Sequence, residues 1–377
     1  MRIGVARELA QDERRVALVP ESAARLIAAG AEVVAEKGAG DPAYFPESAY
    51  REAGVTILST HRQVLSSVEL LLKVRPPLVR GEGTDEVGML AKGSILIGML
   101  QPPSQPALLE QLARRGVTAF SLDRLPRISR AQDMDVLSSM SSVSGYHAVL
   151  MAATRLPRFF PLLMTAAGTV TPARVLVLGA GVAGLQAIAT ARRLGGVVRA
   201  FDVRPQVKEQ VESLGAQFVD VGESVEAADG QGGYAAEVSA TTQRREQEAL
   251  AREVADADVV ITTALVPGRR APVLITKAAV AQMRPGSVVV DLAAEAGGNC
   301  ELTEPGKEVQ KGGVWILGPL DLPSRMAYHA SQLYSRNVTR FALTLIKDGQ
   351  IKLNFEDEVV SRTCVTRDGQ VLGGPSL

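Results

Sequence analysis

Three glycines at fixed spacing, Gly179, Gly181 and Gly184, follow the apolar run Val175–Leu178 and open a helical pattern over Val182–Leu194. A buried strand, a glycine turn and a helix, in that order, form a cradle for phosphate. The first glycine permits the tight turn, the second leaves bare backbone for a pyrophosphate, and the third lets helix and strand pack closely. The helix start adds free N–H groups and the positive end of a dipole. A second apolar run, Val197–Phe201, ends in Asp202. That acid lies close to the offset of about 20 residues at which a carboxylate takes both ribose hydroxyls of NAD and repels a 2′-phosphate. Arg204 pulls the other way, since an arginine nearby can serve NADP. Asp202 ends the strand directly and is the weightier signal. Val182 and Val203 stand beside these groups and join them as expected cofactor contacts. The plainer alternative is a glycine turn with no ligand, and strand, helix and acid in register argue against it.

A second polar concentration spans residues 126–138. Arg127, Arg130, Gln132, Asp133 and Asp135 precede an apolar, helix-compatible stretch. One plain explanation is that Asp133 or Asp135 caps that helix while the arginines are solvated. It accounts for one acid, but not for Arg, Gln, Asp and Ser gathered where a cleft between domains is expected. Gln132 and Ser138 match the donor and acceptor of a nicotinamide carboxamide. Dehydrogenases of alcohols, hydroxy acids or amines also move a proton, and so need a general acid or base. His61, His147 and His329 lie in no evident catalytic setting and read as structural or exposed. Lys73, closing the run Leu70–Leu72, is a better candidate, although a strand-end charge reaching solvent explains it equally well.

At 377 residues the chain is long for one core, and two domains are expected. The 41 basic and 41 acidic residues cancel, so no polyanionic partner such as nucleic acid is implied. The two cysteines, Cys300 and Cys364, are far apart with no metal-ligand spacing, which argues against a zinc site or disulfide framework and favours a reducing cytoplasm. The first residues read as a strand rather than a signal peptide, and no stretch offers the roughly 18 apolar residues of a membrane span.

Short apolar runs alternate with helical patterns through the first 120 residues or so. Strands are expected at Ile3–Ala6, Glu32–Ala35, Glu69–Val74, Ser94–Met99 and Val117–Phe120, and helices at Pro20–Ala29 and Pro106–Arg114. Met140–Leu163 reads as a long connecting helix. Further strands are expected at Val175, Val197, Gln217, Val259, Ser287 and Val314, then a helix over Ser324–Leu345 and a strand-like tail over Val359–Leu372. This alternation predicts an α/β protein of two doubly wound parallel-sheet, Rossmann-like domains joined by long helices, with the cofactor in the cleft. The expected division is residues 1–138 with 326–377, and 139–325, the tail returning to the first domain. Gly222–Thr242 lacks periodicity; its glycines and Tyr234, with Gly233, suggest a flap near the cofactor, a solvated insertion being the alternative.

Nearly the whole chain resembles the family that joins alanine dehydrogenases to the alpha subunit of nicotinamide nucleotide transhydrogenase. The opening Arg7-Glu8 with Glu13-Arg14-Arg15 and the run through Pro20 resembles both branches. Residues 126–139, 261–268 and 291–300 are most similar to transhydrogenase. The first of these resembles the loop whose polar residues contact the nicotinamide end. By resemblance Arg127, Gln132, Asp135 and Ser138 form the catalytic set, and Ala264 and Leu265 join the cofactor contacts. Alanine dehydrogenases carry a catalytic His where Leu100 aligns, while Arg15 and Lys73 resemble their carboxylate-binding and acid–base residues. A basic pair without the His looks like an inherited pocket that has lost its proton chemistry. The resemblance implies hydride transfer from NADH on this chain to NADP⁺ on a partner subunit. It also implies a homodimer, a separate membrane subunit that couples the reaction to proton movement, and a place on the inner face of the cell membrane. The rival readings are an alanine dehydrogenase and a non-catalytic NAD-binding regulatory module.

Overall fold

The computed structural model describes residues 1–79, 85–220, 250–265 and 269–372. The chain divides into two compact units. One holds residues 1–140 and the chain from Pro323 onward; the other holds Ser141–Leu322.

The first unit is built on strands β1 (Arg2–Val5), β2 (Glu32–Glu36), β3 (Thr56–Leu58), β4 (Leu70–Leu72), β5 (Ile95–Gly98) and β6 (Thr118–Ser121). They pair in parallel in the order β3-β2-β1-β4-β5-β6, so the chain reverses direction of growth between β1 and β4. The tail strand Cys364–Arg367 adds antiparallel to β6, followed by Gln370–Val371. β3 has only three residues and gives too short a pattern to be read from sequence. The strand expected over Val359–Leu372 begins instead as a helix, Glu358–Thr363, because Asp357 caps it through Val359 N–H at 2.8 Å.

A helix, Val136–Arg155, leads from the first unit into the second. It stops well short of Leu163, since Pro157 cannot continue it and disfavours helical backbone at Leu156. The expected helical end at Leu163 instead starts a hairpin of β7 (Leu163–Thr165) and β8 (Gly168–Val170). The helix expected over Ser324–Leu345 is broken at Met326 into Leu322–Arg325 and Ala327–Thr344.

The second unit contains β9 (Arg174–Leu178), β10 (Val197–Phe201), β11 (Gln217–Phe218), β12 (Val259–Thr262), β13 (Val288–Asp291), β14 (Glu308–Lys311) and β15 (Val314–Leu317). The order is β11-β10-β9-β12-β13-β15-β14, parallel throughout except for the edge strand β14. Its strands are apolar on both faces. Val175, Val177, Val259, Ile261, Val288 and Val290 pack into one core, and Leu176, Leu178, Val260, Val289 and Ile316 into another. A sheet covered on both sides leaves only its strand ends accessible, and the reversal between β9 and β12 opens a crevice at their carboxyl ends.

Candidate functional site

In the second unit, β9 runs into the glycine turn and the helix Val182–Arg193. The three glycines are there for three different reasons. Gly179 has φ +99, a left-handed backbone, and a Cβ on it would meet Thr263 Oγ1 at 2.5 Å. A Cβ on Gly184 would fall 1.8 Å from the Gly179 carbonyl oxygen, so helix and turn can touch only through bare backbone. A Cβ on Gly181 meets nothing nearer than Arg204 Nη2 at 4.0 Å. The fold does not require that side chain to be missing, whereas a phosphate lying on the backbone would. Gly181 is also the helix N-cap and makes no side-chain cap, so the first-turn N–H groups keep capacity for an anion.

Asp202, just beyond β10, is almost buried. Its Oδ2 accepts from Ala180 N–H inside the glycine turn at 2.7 Å. Arg204 wraps onto the same carboxylate, with Nε donating to Oδ1 at 2.9 Å and Nη2 to Oδ2 at 3.0 Å. The arginine that pointed toward NADP in the sequence is therefore engaged by the acid that points toward NAD. Val182 is exposed and Val203 half-buried beside them. Across the reversal, Thr263 Oγ1 donates to the Gly179 carbonyl at 3.0 Å and links the end of β12 to the turn. Ala264 is half-buried, and Leu265 exposes 44% of its surface. Gly233 and Tyr234 lie outside the described residues, as does the rest of the expected flap.

In the first unit, the polar segment 126–138 folds as a 3₁₀ turn, Ser129–Met134, anchored by buried Ala131 and Met134. Asp135 caps the following helix: Ser138 N–H donates to its Oδ1 at 2.9 Å and Ser138 Oγ to its Oδ2 at 2.5 Å. The Asp133 carboxylate pairs with Arg340 at 2.7 Å, and its carbonyl accepts from Asn337. Arg130 pairs with Asp357. Arg127 and Gln132 are exposed. Asp135 and Ser138 thus bond each other, while Arg127 and Gln132 present outward from the same turn.

Lys73 does not reach solvent, contrary to the strand-end alternative. It is fully buried between Glu8, at 3.2 Å, and Glu86, at 2.7 Å. Burial alone would lower its pKa, but the two carboxylates outweigh burial and raise it, so Lys73 is held charged rather than poised to exchange a proton. Glu8 also accepts from Val74 N–H at 2.6 Å and joins the ends of β1 and β4. His61 bridges Glu36, at 2.8 Å, and Glu86, at 3.0 Å. Burial opposes its charge, yet the two glutamates push its pKa up to about 9. Glu86 is driven down to about 2 against its own burial by Lys73 and His61. Arg15 is buried and bonded by both Nε and Nη2 to Glu13, which Arg75 also reaches. Leu100 is fully buried. Sequence reasoning assigned no role to Glu86 or His61; a Glu thirteen positions from Lys73 gives no periodic signal. Both cysteines are buried free thiols. Among the described residues no group of His, Cys, Asp and Glu could hold a metal, and no helix is long and apolar enough to cross a membrane.

The reversed parallel sheet, the glycine turn and the terminal acid define a Rossmann-type α/β protein. The alanine dehydrogenase/PNT N-terminal domain family matches residues 4–144 and the alanine dehydrogenase/PNT C-terminal domain family residues 148–373; the chain belongs to the alanine dehydrogenase/PNT family. It is 49% identical over 376 residues to a chain of NAD(P) transhydrogenase subunit alpha from Rhodospirillum rubrum, covering 99% of this chain and 98% of that one. A solved transhydrogenase from Sinorhizobium meliloti matches with a TM-score of 0.89 at 42% identity, covering 99% of this chain and all of the other. Alanine dehydrogenase of Bacillus subtilis is 29% identical over 382 residues, covering 98% and 92%. The similarity favours transhydrogenase over alanine dehydrogenase.

Proposed function

We propose that this chain is the NAD(H)-binding component of a proton-translocating transhydrogenase. Hydride passes directly from NADH held here to NADP⁺ on a partner subunit, and a separate membrane subunit couples the reaction to proton movement. The observation that carries the reading is Gly181, whose missing side chain the fold does not need, beside Asp202 at the end of the neighbouring strand. The backbone at 180–182 would hold the pyrophosphate and Asp202 the adenosine ribose, with Arg204 giving way to it. Gly233 and Tyr234 would close over the bound dinucleotide.

The dinucleotide supplies the hydride, and transfer between two nicotinamides releases no proton at carbon. Positioning therefore suffices, and neither Leu100 nor the paired Lys73 has to donate a proton. Arg127 and Gln132 would orient the carboxamide, on a turn fixed by the Asp135–Ser138 cap. The component works as a homodimer at the cytoplasmic face, attached through its partner subunits.

The test is a single-turnover mixing experiment with an NADP(H)-binding transhydrogenase subunit. NADH oxidation is expected only when that subunit and NADP⁺ are both present, and Gln132→Asn should slow it far more than it weakens NADH binding. NADH-dependent amination of pyruvate by this chain alone would overturn the reading in favour of alanine dehydrogenase.

A further inference from the structure

The crevice edge beyond β12 is held by one buried amide. The last register pair of β12 and β13 is Thr262 with Asp291, so Ala264 has no strand neighbour on that side. Asn299, fully buried, takes the place of one. Its Oδ1 accepts from Ala264 N–H at 3.1 Å, and its Nδ2 donates to the Ala264 carbonyl at 2.9 Å and to the Pro272 carbonyl at 2.7 Å. The side chain thus pairs with both polar groups of Ala264 as a peptide would.

Asp291 fixes Asn299 in turn. Its Oδ2 accepts from Asn299 N–H at 2.8 Å, Cys300 N–H at 3.0 Å and Thr303 Oγ1 at 2.6 Å. Its Oδ1 accepts from Thr262 Oγ1 and Ala293 N–H, each at 2.9 Å. Gly297 and Gly298, at φ +101 and +83, bend the chain so that Asn299 returns beneath Ala264. With its N–H and C=O engaged from below, Ala264 presents a fixed ledge that the exposed Leu265 continues.

Strand order says which part of a ligand meets that ledge. Asp202 follows β10, Gly181 follows β9, and Ala264 follows β12, which are consecutive neighbours in the sheet. A dinucleotide with its adenosine ribose at Asp202 and its pyrophosphate over Gly181 continues over Ala264 with its nicotinamide half. We infer that Asn299, held by Asp291, is a positioning residue that fixes the Ala264–Leu265 ledge under the nicotinamide half of the dinucleotide. The inference rests on the NAD(H) reading above.

The test is a pair of titrations on the full chain, with NADH and with 5′-AMP, which carries only the adenosine half. Asn299→Ala strips three backbone groups of their partner. Asn299→Asp keeps the volume and an acceptor for Ala264 N–H, but removes the donor to the two carbonyls. Both variants are expected to weaken NADH about tenfold and to leave 5′-AMP within about twofold of the wild type. A purely structural role would move both ligands or neither. Unchanged NADH affinity in either folded variant, or equal weakening of both ligands, overturns the assignment. If the wild-type chain binds neither ligand, the dinucleotide reading falls and this inference with it; if it binds both and the variants match it, the inference falls alone.

Discussion

The two units share one strand order around their reversal points, yet they fill those points in opposite ways. In the first sheet the ends of β1 and β4 are closed by the chain's own charges. Glu8 bonds the backbone beyond β4, and Lys73, Glu86 and His61 continue the chain of ion pairs. In the second sheet the ends of β9 and β12 carry glycines and backbone, with Asp202 and Asn299 fixing the rim. Parallel sheets bind ligands where strand order reverses. A reversal stocked with paired, buried ions has spent its polar groups internally, whereas one built from glycine and fixed backbone keeps room for a guest. The resemblance of Arg15 and Lys73 to substrate-binding residues therefore does not make the first reversal a substrate site here: both side chains are buried in partners.

This contrast can be broken by removing one member of the ion network. Lys73→Met leaves Glu8 and Glu86 buried without their cation and should cost about 3–5 kcal/mol of unfolding free energy, measured by urea titration. NADH affinity of the folded protein should not change. A stable Lys73→Met protein that no longer binds NADH would make the first reversal functional after all.

The same network sets a pH dependence. The folded pKa of His61 lies above its ordinary 6.5, at about 9, so its stabilisation is complete below about pH 6.5 and drains as pH rises through about 9. The full loss is on the order of 3 kcal/mol. Glu86 acts in the opposite sense: its contribution is complete above about pH 4.5 and is lost as pH falls toward about 2. His61→Gln should therefore be less stable than the wild type at pH 6 and equal to it by about pH 10. A difference that stays constant across that range would show that His61 is not held charged by its glutamates.

A smaller effect sharpens the other side of the comparison. Gly184→Ala places a methyl group against the Gly179 carbonyl, a backbone atom that cannot swing away. About 1–3 kcal/mol of stability should be lost, with a fall in melting temperature, and NADH binding should weaken as the turn shifts. An unaltered melting temperature would mean that helix and turn are not packed through bare backbone.

Much of the second unit was legible in the sequence because its signals are local. The strand Val197–Phe201 has the expected bounds, and the helix after the glycine turn starts at Val182 as its spacing predicts. Errors arose where a single residue overrode a pattern. Pro157 ends a helix that apolar composition would extend, and Asp357 caps a helix where Val359 and Val360 suggest a strand. The roles of polar residues were harder to read. Lys73 at the end of an apolar run is compatible with solvent or burial, and only the return of Glu8 and Glu86 decides between them. Nor does the sequence separate the reasons for the three glycines. Gly184 is required by a backbone contact within its own turn, while Gly181 has open space above it, a difference visible only in three dimensions.

That difference supplies the most direct measurement. Gly181 has an ordinary negative φ and no neighbour that a Cβ would strike, so Gly181→Ala should melt with the wild type, within about 0.5 kcal/mol. Its methyl group would occupy the place proposed for the pyrophosphate. An NADH binding isotherm of Gly181→Ala beside the wild type is expected to show affinity reduced by at least about tenfold with unchanged stability. Equal NADH affinity in the two proteins would contradict the placement of the dinucleotide at the second reversal, and with it the division of labour between the two sheets.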